Sequence, residues 1–286
     1  AAAPAAAAEP VTIPGAERLA MASRATGRDY RIDVWRPAGP PPPGGHPVVY
    51  LLDGNATFAT AVDALRVRAR RGDVTGIPPA ILVGIGYPTD EPFAVAARSR
   101  DLTPAGTEVA GTGGADAFLR FIEEELKPAI AAAHPVDPRR QAIIGHSYGG
   151  LFVLHVLFTR PDAFQAYVAG SPSIWFGGRR VLAAEPGLAA SLAERRRDLR
   201  LLVGVGEHEQ GLSPAERRSP QAAERAARKA RNRMVEEARE LAGRLAPLAE
   251  HGLRTEFVLF PDEDHASVIP VLIGRALGFA LAPSEP

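Results

Sequence analysis

Five short runs of the chain are apolar at nearly every position: Val48-Val49-Tyr50-Leu51-Leu52, Ala80-Ile81-Leu82-Val83-Gly84-Ile85, Gln141-Ala142-Ile143-Ile144, Tyr167-Val168-Ala169-Gly170 and Leu199-Arg200-Leu201-Leu202-Val203-Gly204-Val205. Runs of strand length without alternation are the pattern of parallel strands covered on both faces. Thr255-Glu256-Phe257-Val258-Leu259-Phe260 supplies a last strand. Asp29-Tyr30-Arg31-Ile32-Asp33-Val34-Trp35 alternates polar and apolar residues and predicts a half-buried antiparallel edge strand. Helical segments fall between these runs, over residues 115–133, 150–158, a long stretch within 215–250, and 268–281. Strand and helix in alternation predict the α/β class, a doubly wound, mostly parallel sheet with helices on both faces. The Ala/Pro-rich residues 1–15 are expected to be a disordered lead-in, and residues 16–286 one domain with a helical, lid-like insertion over about 210–250. Internal repeats are absent.

In sheets of this kind ligands bind beyond the carboxyl ends of the strands. Gly145-His146-Ser147-Tyr148-Gly149 occupies that position, between the strand ending at Ile144 and an apolar helix beginning near Gly150. The G-x-S-x-G spacing suits a nucleophilic serine on a tight strand-to-helix turn, because side chains at the flanking positions would meet neighbouring backbone. A serine hydroxyl is a weak nucleophile, so it needs an imidazole within reach and a carboxylate to hold that imidazole's tautomer. Chain order in such hydrolases is serine, acid, histidine. His265 is the only histidine after the strand ending at Phe260 and is the candidate base. His155 falls in an apolar helix and reads as core, His46, His134 and His251 fall in loops, and His146 flanks the serine while pointing away from it. For the acid, the strand ending at Val205 runs into Gly206-Glu207-His208-Glu209; Glu209 is preferred and Glu207 is the alternative. The Tyr148 N–H and the Asn55 N–H, presented after the Asp53-Gly54 turn, are the candidate oxyanion hole.

Lys+Arg and Asp+Glu both number 33, which argues against a nucleic acid partner. The absence of cysteine removes disulfides, a thiolate nucleophile and Cys-ligated zinc. A metal site at Glu207-His208-Glu209 would need distant ligands, so no metal and no cofactor are expected. No apolar stretch has the length of a bilayer span, and no membrane insertion is expected. The start Ala1-Ala2-Ala3-Pro4-Ala5 is compatible with a mature end left by signal cleavage, and the protein is expected to be periplasmic or otherwise exported, with the cytoplasm as the alternative. Between Arg217 and Arg233 the chain carries Arg217, Arg218, Arg225, Arg228, Lys229, Arg231 and Arg233 against one acid, Glu224. Such a segment is a solvated helix face or, if it faces the cleft, an attractor of anionic ligands.

Several stretches together resemble the putative-esterase (esterase D-like) family of α/β hydrolases, and within it the ferric-siderophore esterases acting on enterobactin, salmochelin and bacillibactin. They are Tyr50-Leu51-Leu52-Asp53-Gly54, Arg98-Ser99-Arg100-Asp101-Leu102-Thr103-Pro104, Gly113-Gly114-Ala115-Asp116-Ala117-Phe118-Leu119, Gly145 to Gly150, Ser171-Pro172-Ser173-Ile174-Trp175 and Asp264-His265-Ala266-Ser267-Val268-Ile269-Pro270. The resemblance spans residues 20–281. It implies a serine esterase that hydrolyses the trilactone of a ferric catecholate siderophore to promote iron release, without a metal cofactor for the chemistry. Arg98, Arg100 and Trp175 are then expected to line the substrate cleft. Some siderophore esterases work with a Ser/His dyad, which leaves a dispensable acid as an alternative. A general carboxylesterase or acyltransferase is the alternative within the fold, and a non-catalytic binding scaffold the alternative outside enzymology.

Overall fold

In the computed structural model, residues 8–283 are described. The strands are β1 Ala16–Ser23, β2 Arg28–Trp35, β3 His46–Leu52, β4 Ile81–Gly86, β5 Val136–His146, β6 Ala166–Gly170, β7 Leu199–Gly206 and β8 Leu253–Phe260. They form one sheet in the order β1-β2-β4-β3-β5-β6-β7-β8. β2 runs antiparallel to β1 and β4, and the other neighbours pair in parallel. Every position of β3, β4 and β6 is buried, the consequence of apolar side chains on both faces. The chain leaves β3 toward β4 on one side and returns to β5 on the other, so the sheet's switch point lies between the carboxyl ends of β3 and β5.

One face carries Tyr30, Tyr50, Phe118, Phe121 and Phe152 under the wholly buried middle of helix Tyr148–Thr159. The other packs beneath helices Gly54–Ala69 and Val268–Leu281.

The alternating segment of residues 29–35 is antiparallel but not at the edge: β1 pairs outside it, from Ala16 opposite Trp35 to Ser23 opposite Arg28. β1 is exposed along most of its length and has few large apolar residues, which hides it from hydrophobic patterning. Helix Gly54–Ala69 is likewise not among the elements the hydrophobic pattern predicts. It starts directly after Asp53 without a side-chain cap, because the Asp53 carboxylate is engaged elsewhere. The stretch 215–250 divides into Pro214–Arg217, Ala222–Asn232, Met234–Leu245 and the 3₁₀ helix Ala246–His251, with a break at Arg233, whose φ is 47°. Ala222–Asn232 buries none of its residues, whereas Met234–Leu245 places Met234, Ala238, Leu241 and Leu245 in the core. Among the described residues no helix is long and apolar enough to cross a membrane.

The last helix follows the His265 loop, and its seat on the sheet fixes that loop. Leu272 is buried against two glycines: a Cβ on Gly170 would fall 2.0 Å from Leu272 Cδ2, and one on Gly204 would fall 3.1 Å from Cδ1. At the far end of the helix, beside a concavity of about 580 Å³, Arg200 donates to the carbonyls of Ala282 and Ala280 and Arg140 to that of Leu281. These cations meet the exposed carbonyls and negative dipole end of the helix. Leu272→Ala is expected to lower stability by about 2–5 kcal/mol, read from the denaturant midpoint, since the glycines opposite cannot fill the space.

Candidate active site

β5 ends in His146, and helix Tyr148–Thr159 begins one residue later, so Ser147 alone makes the turn. Its φ and ψ are 60° and −117°, outside the regions an L residue ordinarily occupies. A Cβ on Gly145 would lie 2.3 Å from the Gly149 carbonyl oxygen, so the first glycine of the motif is a steric requirement. The Ser147 N–H donates to the Gly170 carbonyl at 2.9 Å and ties the turn to the end of β6.

His265 Nε2 lies 3.1 Å from Ser147 Oγ, and His265 Nδ1 lies 2.6 Å from Glu209 Oε2. The Glu209 side chain is 1% exposed and that of His265 49%. Glu209 sits in a 3₁₀ turn, Glu207–Glu209, directly after β7. Its Oε1 accepts from the Gly206 N–H at 2.7 Å and from Ser171 Oγ at 2.5 Å. The two candidate acids are placed differently: only Glu209 reaches the imidazole. Glu207 is exposed and accepts the Asp262 N–H at 2.9 Å, away from the imidazole. Gly206 admits the base loop, since a Cβ there would lie 2.5 Å from the Glu263 carbonyl oxygen. The His208 N–H donates to that same carbonyl at 2.9 Å.

Beside the base lies His146, with ring centroids 4.5 Å apart. Burial, then the neighbouring His265 and Arg98 charges, hold His146 well below the ordinary imidazole pKa, so a neutral ring backs His265. His155, read as a core histidine, is buried and has Nε2 2.8 Å from Asp116 Oδ1.

The Asp53-Gly54-Asn55 turn follows β3 and reaches the elbow across the switch point: a Cβ on Gly149 would contact Leu52 and Asp53 at 3.5–3.6 Å. Asn55 and Tyr148 occupy the first turns of their helices, where N–H groups lack intrahelical acceptors. Among the described residues neither N–H has an acceptor. The Asn55 side chain accepts from the Tyr87 N–H and donates to the Tyr87, Thr89 and Glu91 carbonyls, fixing the turn against the segment after β4.

Arg98 does not line the cleft. Its guanidinium makes a buried fork to Asp53, at 2.7 and 2.8 Å, and its Nη2 also reaches the His146 carbonyl at 3.4 Å. It clamps the Asn55 turn to the elbow strand. Arg100 is also absent from the cavity wall and lies 3.7 Å from buried Asp101. Both stand on helix Val95–Asp101, Arg98 turned toward a carboxylate far away in sequence and Arg100 toward that of its chain neighbour. Trp175 does line the cavity, a space of about 360 Å³ that also opens onto Ser147, Ser173 and His265.

Helix Ala222–Asn232 forms the opposite wall with Arg225, Arg228 and Lys229. Lys229 Nζ lies 2.5 Å from both Glu216 Oε2 and the His208 carbonyl, which latches the helix to the acid turn. Arg225 approaches Glu216 at 3.8 Å. Arg228 has no carboxylate partner among the described residues. The only grouping there with three possible metal ligands in reach of one another is Glu207, His208 and Asp262, with donor atoms within 4.8 Å. Glu207 and Asp262 are exposed.

A strained serine between strand and helix, an imidazole against its hydroxyl and a buried carboxylate behind that imidazole, all at the carboxyl ends of a mostly parallel sheet, define an α/β hydrolase. The chain belongs to the esterase family whose model is described as "Putative esterase" and matches residues 23–251, and it is an ester hydrolase. It is 45% identical to ferri-bacillibactin esterase BesA of Bacillus subtilis over 96% of this chain and 92% of that protein. Identity to the siderophore triacetylfusarinine C esterase of Aspergillus fumigatus is 38%, over 82% of this chain and 81% of that one. The solved structure of siderophore hydrolase EstB from Aspergillus nidulans superposes with a TM-score of 0.86 at 33% identity, covering 96% of this chain and 98% of EstB.

Replacing the two acids separately tests the arrangement. Glu209→Gln is expected to lower kcat on a p-nitrophenyl ester by about a hundredfold to ten-thousandfold, by analogy with loss of the triad acid elsewhere, while Glu207→Gln stays within about threefold.

Proposed function

We propose that this ester hydrolase opens the trilactone of a ferric catecholate siderophore by acyl transfer through Ser147. The reading is carried by one observation: the Ser147–His265–Glu209 chain of contacts opens into a cavity whose far wall is the arginine-bearing helix Ala222–Asn232. The 45% identity to a ferri-bacillibactin esterase supports the substrate class.

Ser147 Oγ attacks an ester carbonyl while His265 Nε2 takes its proton, and Glu209 stabilises the imidazolium that results. The Tyr148 and Asn55 N–H groups receive the developing oxyanion, aided by the positive end of helix Tyr148–Thr159. His265 returns the proton to the departing serine hydroxyl of the lactone. Water then attacks the acyl-enzyme by the same route in reverse. Each turnover converts a cyclic ester to a chain with one more carboxylate and one more hydroxyl. A siderophore opened in this way loses the preorganisation that favours iron binding.

Iron enters as part of the substrate, and the ferric catecholate is an anion. Glu216 offsets Lys229 and draws on Arg225, which, among the described residues of the cavity wall, leaves Arg228 as the cation free to attract it.

Arg228→Ala is expected to raise KM for ferric enterobactin by about three- to tenfold at low salt and to have no effect on p-nitrophenyl acetate. The wild-type advantage should shrink as salt rises from about 50 to 500 mM. Ser147→Ala should abolish cleavage of both substrates in the same assay, followed by product chromatography. Trilactone cleavage that ignores both Arg228 and salt would remove electrostatic capture from the account, and activity confined to the simple ester would leave a general esterase.

A further inference from the structure

The turn after β6, Ser171-Pro172-Ser173, meets the site at both ends. Ser171, with φ 42°, donates to the acid, as described above. Ser173 approaches the nucleophile: its Oγ lies 3.4 Å from Ser147 Oγ, and its N–H donates to the Ser147 carbonyl at 3.2 Å. Ser173 is only 2% exposed, yet it lines the cavity beside Ser147 and His265.

Counting protons assigns the direction of the contact between the two hydroxyls. Glu209 is an acceptor, so His265 carries its proton on Nδ1 and presents a lone pair at Nε2. The single hydroxyl proton of Ser147 points at that lone pair. The remaining contact to Ser147 Oγ must then be donated by Ser173.

We propose that Ser173 is a further catalytic residue, a hydrogen-bond donor to the oxygen that forms and breaks the acyl bond. The proposal rests on the reading of Ser147 as nucleophile. The donor matters unequally along the reaction. A neutral hydroxyl or an ester oxygen accepts a hydrogen bond weakly, whereas an oxygen carrying partial negative charge accepts it strongly. Ser147 Oγ carries that charge as it is deprotonated for attack and again as it departs from the acyl group. In the second step the water oxygen bonds to the acyl carbon and the bond from that carbon to Oγ breaks, its electron pair leaving on Oγ. The water's proton passes to His265 Nε2 and from there to Oγ. Ser173 keeps its own proton throughout. An interaction stronger in the transition states than in the ground states raises kcat and leaves KM alone.

Ser173→Ala removes one oxygen and leaves Ser147 Oγ its partner in His265, and the thermal midpoint reads whether the fold is kept. Three variants, Ser173→Ala, Ser173→Thr and Ser147→Ala, would be compared with wild type on p-nitrophenyl butyrate, with thermal midpoints and fluorophosphonate labelling measured in parallel. Ser173→Ala is expected to keep the wild-type midpoint, to be labelled at Ser147, and to lose about ten- to a hundredfold in kcat with KM within about twofold. Ser173→Thr, which retains the donor, should stay within about threefold of wild type. Wild-type kcat in Ser173→Ala, or an equal loss in both Ser173 variants, would overturn the proposal. Full activity in Ser147→Ala would instead overturn the nucleophile reading on which it rests.

Discussion

The buried carboxylate of Glu209 is the point on which the site is hung. A charged group this far from water is tolerated only when hydrogen bonds replace its hydration. Here they come from three places: the Gly206 N–H at the end of β7, the Ser171 hydroxyl after β6, and His265 Nδ1 in the loop after β8. Satisfying one carboxylate therefore fixes the relative position of three strand ends. It also aims the imidazole, since the ring that donates from Nδ1 must present Nε2 on its opposite side, where Ser147 lies.

A second buried charge organises the other half of the site. Arg98 grips Asp53 with both arms of its guanidinium and touches the His146 carbonyl, so the turn after β3 and the elbow after β5 are held as one piece across the switch point. Removing either partner would strand a charge in the interior, the costly way to break such a pair. Both candidate oxyanion donors, the Asn55 and Tyr148 N–H groups, stand on the elements this pair joins. The cavity's far wall is attached to the same framework: Lys229 binds the His208 carbonyl in the acid turn, which carries the basic helix with it.

How much of this was legible in the sequence follows from the range of each constraint. The elbow could be read because local sterics dictate its glycines, and His265 because chain order and a terminal strand leave one histidine in place. The apolar runs predicted the parallel core strands, whose two buried faces need no partner's identity to be recognised. The preference for Glu209 over Glu207 rests on its place three residues past Gly206, where the turn carries a side chain back over the strand end; the contact each carboxylate makes within that 3₁₀ turn comes from the fold and not from spacing. Arg98 is expected in the cleft only through the family resemblance, which carries no information on its partner; Asp53 lies on a different element and only the fold brings the two together. β1 escaped because an exposed strand lacks the apolar signal that reveals a buried one, and its presence displaced β2 from the edge. The orientation of the basic helix toward the cavity depends on the break at Arg233, which no pattern of charges announces.

The central claim is that the ester carbonyl is transferred to Ser147 before it reaches water. Acid-quenching the enzyme within milliseconds of mixing with ferric enterobactin, followed by peptide mass analysis, tests this directly. A siderophore-derived acyl group is expected on the peptide containing Ser147 and is expected to be absent from Ser147→Ala. Hydrolysis at the wild-type rate by Ser147→Ala, or an acyl group borne on another residue, would contradict it.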